Sequence, residues 1–169
     1  MEIARKSIEA YLDNHPVPEF DINDSILEAP GAAFVTINKD HQLRGCIGYT
    51  EPILPLYQAI STCAVKAASE DPRFQPLQKA EYPHIELEIS VLTPLKKIED
   101  VDKIEVGKHG LMLQKGYNRG LLLPQVAADY GWNRTQFLDA TCRKAGMSAG
   151  CWKENCDIYI FSAEVFGEE

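Results

Sequence analysis

Apolar and polar positions along this chain switch several times between a helical and a strand period. Ala4, Ile8, Tyr11 and Leu12 recur at helical spacing with charges between them, which predicts a helix over residues 2–13. Asn14-His15-Pro16-Val17-Pro18 ends it, because proline blocks continuation. Ala32 to Ile37 reads as a strand, Asn38 to Gln42 as a polar turn, and Leu43-Arg44-Gly45-Cys46-Ile47-Gly48 as a second strand. A hairpin is expected, although the turn lacks the Asn-Gly or Asp-Gly signature. A loop over Glu51 to Pro55 leads to a helix from Leu56 to Ser69, with Leu56, Ile60, Cys63, Ala64 and Ala67 as its apolar stripe. Pro72 and Pro76 keep Glu70 to Leu77 irregular. Residues 85–92 alternate, with Ile85, Leu87, Ile89 and Val91 on one face and Glu86, Glu88 and Ser90 on the other, as in a half-buried antiparallel strand.

The pattern breaks at Thr93-Pro94, and a charged stretch from Lys96 to Lys103 marks the crossing into a second, smaller unit. Short strands at Leu111 to Lys115 and Gly120 to Leu123 flank the turn Gly116-Tyr117-Asn118-Arg119. Pro124 opens a helix to Tyr130. Asn133 and Gln136 have the spacing of a capping box for a helix to Ala145, closed by Gly146. Asp157 to Phe166 is β-branched and aromatic, hence a strand. The interleaving gives an α+β chain with largely antiparallel pairing.

Totals narrow the function classes. The 169 residues are 45% hydrophobic and 25% charged, an ordinary globular composition. A net charge of −8 with no basic run disfavours nucleic acid. No apolar run approaches the ~20 residues that span a bilayer, so no membrane association is expected. Five cysteines, an odd number, after an N-terminus without signal-peptide order predict reduced thiols and a cytoplasmic setting.

The candidate chemistry centres on Cys46. In a regular strand Arg44 and Cys46 share a face, while Leu43 and Ile47 turn toward a core. Gly45 and Gly48 permit close approach of a backbone or a ligand. A thiol reacts as its thiolate, which a neighbouring arginine favours; a small buried residue in a glycine-rich strand is the competing reading. Of the four histidines, His41 lies in the turn, ~15 Å from Cys46 along an extended strand, so a papain-like pairing is not expected. Asp71 and Arg73 follow a helix end, where an acid opposes the helix dipole; Asp71 either accepts from Arg44, orients a substrate or serves as a base, or simply forms the turn before Pro72. Cys151 and Cys156 lack a second close pair, Cys63 and Cys142 lie on apolar helix faces, and no metal or cofactor site is expected.

The segment Leu43 to Gly48 resembles the hallmark of the AMMECR-type domain family, whose prokaryotic members are called AmmeMemoRadiSam system protein A. Asp71-Pro72-Arg73-Phe74, Glu88 to Pro94, Gly120 to Ala127, Phe137-Leu138, Cys142 to Gly146 and Trp152 resemble further family blocks, so the likeness runs from about residue 3 to 166. It implies two subdomains: a larger one with an antiparallel sheet, helices and both termini (residues 1–94 and 154–169), and a smaller inserted α/β one with short antiparallel strands (95–153). The hallmark side chains would face a cleft between them that is not basic. Leu43, Gly45, Ile47, Gly48, Asp71, Arg73 and Gln125 would contact substrate there. The family has no established activity; its association with a Memo-like protein and a radical S-adenosylmethionine protein implies a shared modification pathway. The expectation is an enzyme or enzyme subunit using Cys46, with Arg44 holding the thiolate or a substrate carboxylate, on a peptide- or protein-sized substrate. The alternative is a non-catalytic protein-binding module in the same pathway, or a redox sensor if Cys63 lies within disulfide reach of Cys46.

Overall fold

The structure, a computed structural model, describes residues 1–168. In chain order it begins with α1 (Glu2–Leu12), α2 (Ser25–Glu28), β1 (Pro30–Lys39), β2 (Gln42–Gly48), β3 (Leu54–Pro55) and α3 (Leu56–Ser69). A 3-10 turn (Lys79–His84) precedes β4 (Ile85–Leu92) and β5 (Lys96–Ile98), followed by β6 (Gly110–Lys115) and β7 (Asn118–Leu122). Then come α4 (Pro124–Asp129), α5 (Arg134–Lys144), a further 3-10 turn (Cys151–Lys153), β8 (Asp157–Phe161) and β9 (Ala163–Gly167). The fold is α+β and divides into two units, Met1–Val91 with the residues from Glu164 onward, and Leu92–Ala163.

In the first unit the strands run in the order β2-β1-β4-β9, with β3 beside β1. Helices α1 and α3 cover one face of this sheet. Ala4 and Ile8, the α3 stripe with Cys63, and the inward positions Ala33, Val35, Ile37, Ile85, Leu87 and Ile89 form one buried cluster. The alternation of β1 from Ala33 to Ile37 and of β4 from Ile85 to Ile89 dictates that arrangement: one set of side chains meets the helices, and Phe34, Thr36, Glu86 and Glu88 remain only partly buried on the other face, whereas Ser90, expected there too, is buried.

The β1–β2 hairpin turns on Asp40 and His41, both left-handed at φ 52° and 59°. Lys39 pairs with Gln42 across a two-residue turn, and Asp and His are among the few non-glycine residues that tolerate this conformation. A hairpin therefore forms without the glycine signature. The register then slips: Asn38 faces Leu43, but Ile37 faces Gly45, which leaves Arg44 as the extra residue of a β-bulge. Beyond it Thr36 faces Cys46, Val35 faces Ile47 and Phe34 faces Gly48.

The second unit holds an antiparallel sheet in the order β5-β8-β6-β7. Phe137, Leu138 and Cys142 of α5 pack into its core with Leu111, Leu113, Ile158 and Ile160. Asn133 and Gln136 form the full capping box at the start of α5, and Gly116 (φ 60°) opens the two-residue β6–β7 turn. Three expectations are corrected here. The predicted strand 157–166 is two strands broken at Ser162, whose N–H and C=O bond to Thr93. As a result β8 is a central strand of the second sheet, so residues 154–163 belong with the second unit rather than the first; residue 169 lies outside the described residues. The charged stretch after Lys96 contributes β5 and a short 3-10 turn. Finally, the cysteines are not all reduced: Cys142 and Cys151 form a disulfide with a Cα separation of 5.9 Å. Left-handed Gly146 and Gly150 fold the intervening segment back so that the two sulfurs meet inside the core.

Candidate functional site

Strand β2 is an edge of the first sheet, and it lies very close to α3. A Cβ on Gly45 would sit 2.2 Å from the carbonyl oxygen of Ala67. A Cβ on Gly48 would sit 2.2 Å from the Phe34 ring. Both glycines are thus required by close approach, Gly45 to a helix backbone and Gly48 to an aromatic face. Ile47 packs on the core, whereas Leu43, expected to do the same, is 41% exposed. The bulge at Arg44 explains the difference, since it interrupts the period-two alternation that the sequence reading assumed.

Cys46 is a free, partly exposed thiol. Thr36, directly opposite on β1, donates its hydroxyl to the sulfur at 3.3 Å. The Cys46 N–H points outward from the sheet edge and donates to Asp71 Oδ2 at 2.9 Å. Asp71 is 4% exposed. It also accepts from the Arg73 N–H (3.1 Å) and from the Arg73 guanidinium, Nε to Oδ1 at 2.9 Å and Nη2 to Oδ2 at 2.7 Å. That fork, and next to it the Cys46 and Arg73 backbone donors, hold the Asp71 carboxyl far below the usual carboxylate range against the opposing effect of burial. One oxygen, Oδ2, therefore bridges the Cys46 backbone and the Arg73 guanidinium.

Arg44 has a different carboxylate. Its Nε and Nη2 donate to Glu81 Oε1 and Oε2 at 3.0 and 2.9 Å. Lys39 Nζ reaches Glu81 Oε1 at 3.2 Å, and the Gln78 N–H reaches Oε2 at 3.0 Å. These donors, Arg44 first, pull the Glu81 carboxyl down to about 2. Arg44, Glu81, Lys39 and Leu43 line an open concavity of about 390 Å³ with Asp40 and Gln42. Both guanidiniums lie over the Phe74 ring, Arg73 at 5.5 Å and Arg44 at 5.9 Å from its centroid.

The structure thus gathers Arg44, Cys46, Asp71 and Arg73 within one unit, while Gln125 lies on α4 of the other. Asp71 bonds Arg73 and not Arg44, and the cation beside Cys46 is Arg73. Thr36, Phe74 and Glu81 are additions that sequence reasoning missed. The hairpin register would have offered Thr36 only with the bulge known; Glu81, 37 residues from Arg44, left no signal. No histidine hydrogen-bonds Cys46 among the described residues: His41 is in the turn beside Glu86 at 3.7 Å. Cys63 lies on the opposite, helix-covered face of the sheet, its thiol toward the Ala33 carbonyl and pushed up to about 11 by burial. Cys63 thus lies across the sheet from the face that carries the Cys46 sulfur. Among the described residues no group of three or more His, Cys, Asp or Glu is placed to hold a metal, and no helix is long and apolar enough to cross a membrane.

Similarity to known proteins extends over the whole fold. A protein of Methanopyrus kandleri is 43% identical over all of this chain and 86% of its own length. One of Nanoarchaeum equitans is 41% identical over 99% of this chain and 98% of its own. The crystal structure of an uncharacterized protein from Pyrococcus horikoshii matches 99% of this chain and 89% of that one, at 40% identity and a TM-score of 0.92. The AMMECR1 family model matches residues 1–166, and the chain belongs to the AMMECR1 family.

Proposed function

We propose that this chain is an enzyme or enzyme subunit whose working group is the Cys46 thiol, acting on a peptide- or protein-sized substrate. The observation that carries this reading is the way the thiol is held. Its backbone N–H is fixed by a buried carboxylate, its strand is pressed on α3 at Gly45, and its sulfur is left partly exposed beside a hydroxyl donor. A residue chosen only to fill space needs none of these. Thr36 supplies a hydrogen bond that strengthens when the sulfur is anionic, and Arg73 supplies the neighbouring positive charge. Arg44, already forked on Glu81, orients substrate. Gln125 is carried in the proposal by the family likeness alone, as are a Memo-like and a radical S-adenosylmethionine protein as partners in a modification pathway. A cytoplasmic setting belongs to the same reading, with the Cys142–Cys151 bond shielded from cellular thiols by burial.

The test is the alkylation rate of Cys46 at pH 7, located by peptide mapping. A working thiol reacts faster than Cys156, the other partly exposed free thiol. An inert Cys46, or one that reacts no faster than Cys156, overturns the proposal. One observation favours a second reading, a non-catalytic protein-binding module: among the described residues no base hydrogen-bonds the sulfur. In that case Cys46→Ser keeps both partner binding and cellular function. Loss of cellular function with fold and binding intact removes it.

A further inference from the structure

We infer that Arg44, Arg73 and Phe74 form a seat for one carboxylate group of the substrate beside the Cys46 thiol. This rests on the reading of Cys46 as the working group and assigns the substrate its chemical class, a peptide bearing a free carboxylate at its C-terminus or on an acidic side chain. The two arginines are held alike. Each gives Nε and Nη2 to a protein carboxylate, Arg44 to Glu81 and Arg73 to Asp71. Each keeps Nη1 without a protein partner among the described residues; the Arg73 side chain is 54% exposed, and Arg44, at 17%, has no buried nitrogen without a partner, so both groups reach solvent. Both guanidiniums are braced on the same phenylalanine ring, within 6 Å of its centroid. Arginines fixed on one edge with the other edge free are pre-oriented donors for a planar oxyanion.

Charge selects a monoanion. Arg44 is balanced by Glu81 and Arg73 by Asp71, and Lys39, which also reaches Glu81, shares its concavity with Asp40, so the cluster has no excess of either sign. A carboxylate adds one negative charge to it, whereas a phosphate dianion adds two on a chain of net charge −8. Glu86 and Glu88 on β4, two strands or about 10 Å across the same sheet face, add to the bias against dianions.

The experiment compares alkylation of Cys46 by iodoacetate, an anion, with alkylation by neutral iodoacetamide; in both the sulfur–carbon bond forms as iodide leaves. Cys156, partly exposed in the second unit, is the internal reference. At low ionic strength the iodoacetate-to-iodoacetamide rate ratio at Cys46 should exceed that at Cys156 by about twofold, the effect of one guanidinium charge ~8 Å away in water. Arg73→Gln should bring it down to the Cys156 value, and Arg73→Lys, which keeps the charge and the fold of the loop, should retain most of it. Equal ratios in the wild type overturn the seat. A second measurement does not depend on thiol reactivity: titration with N-acetyl-Ala-Ala, followed by the amide resonance of Cys46 and the Nε–H of Arg73. Saturable shifts with the free acid and none with its C-terminal amide support the seat. Shifts with neither overturn it, and stronger competition by inorganic phosphate overturns the choice of a carboxylate. A Cys46 unreactive to both reagents, with the shifts present, sinks the thiol reading and leaves the seat standing.

Discussion

Replacing Gly45 by alanine would place a Cβ 2.2 Å from the carbonyl oxygen of Ala67. The obstacle is helix backbone and no rotamer change relieves it, so either β2 or α3 must move. Overpacking of this kind costs ~1–3 kcal/mol, and an unyielding backbone puts the cost near the top of that range. Moving β2 outward also stretches the Cys46 N–H bond to Asp71, a hydrogen bond to a charged group that contributes roughly 1.5–3 kcal/mol. Against this, alanine restricts the unfolded chain and returns ~0.4–1 kcal/mol. The steric and hydrogen-bond losses win, for a net destabilisation of ~3.5–5.5 kcal/mol, which at this chain length lowers Tm by about 7–20 °C. Differential scanning calorimetry measures it. Gly167→Ala is the control, because its Cβ meets nothing within 4 Å, and it should be neutral or slightly stabilising. A Gly45→Ala protein within ~2 °C of the wild type would refute the argument that this glycine exists for the strand–helix approach.

Thr36→Val removes the hydroxyl that donates to the Cys46 sulfur at the same volume; alkylation of Cys46 at pH 7 should slow by roughly 2- to 10-fold, the worth of ~0.5–1.5 kcal/mol, and an unchanged rate would exclude a role for Thr36. For Glu81 the folded carboxyl lies below its unfolded value, so its contribution is complete above ~4.3 and is lost as pH falls through about 2. Glu81→Gln should therefore flatten the fall in Tm between pH 4.5 and 2, and a parallel slope would contradict this. The Cys142–Cys151 bond closes a loop of about ten residues, and the chain-entropy relation gives ~2.7 kcal/mol. Cys142→Ala combined with Cys151→Ala should lower the transition seen by tryptophan fluorescence by about 5–10 °C; both tryptophans, Trp132 and Trp152, report the second unit. No change would show that the bond is dispensable there.

What the sequence disclosed follows the range of the forces involved. Helices α1 and α3 and strand β4 were legible because a single buried face imposes its period on neighbouring residues. The capping box at Asn133 is likewise local. The bulge at Arg44 was not legible, because it is a property of pairing between two strands and changes no residue type. Nor was the disulfide, which depends on the reversal through Gly146 and Gly150. At the site, Asp71 left a trace as an acid misplaced for a helix dipole, and its purpose is now visible: it caps the N–H of an edge strand. Its arginine was adjacent in sequence, while the carboxylate for Arg44 came from a turn 37 residues on.

The edge position of β2 and the fixing of Cys46 are two aspects of one arrangement. An edge strand leaves alternate N–H groups open, which invites pairing with another chain. Here the buried Asp71 carboxylate takes the N–H of Cys46 itself, and the bulge disrupts the ladder two residues earlier. Both devices discourage strand addition at the thiol. Both also remove freedom from the backbone that carries it, and a thiol whose backbone N–H is held by a buried, satisfied carboxylate is costly to displace. Had β2 been a central strand, its N–H would have been spent on a neighbour, and the second strand would have covered the edge that Arg73 now occupies. The edge is thus what allows a cation to stand beside Cys46, and the burial of Asp71 is what keeps that cation in place.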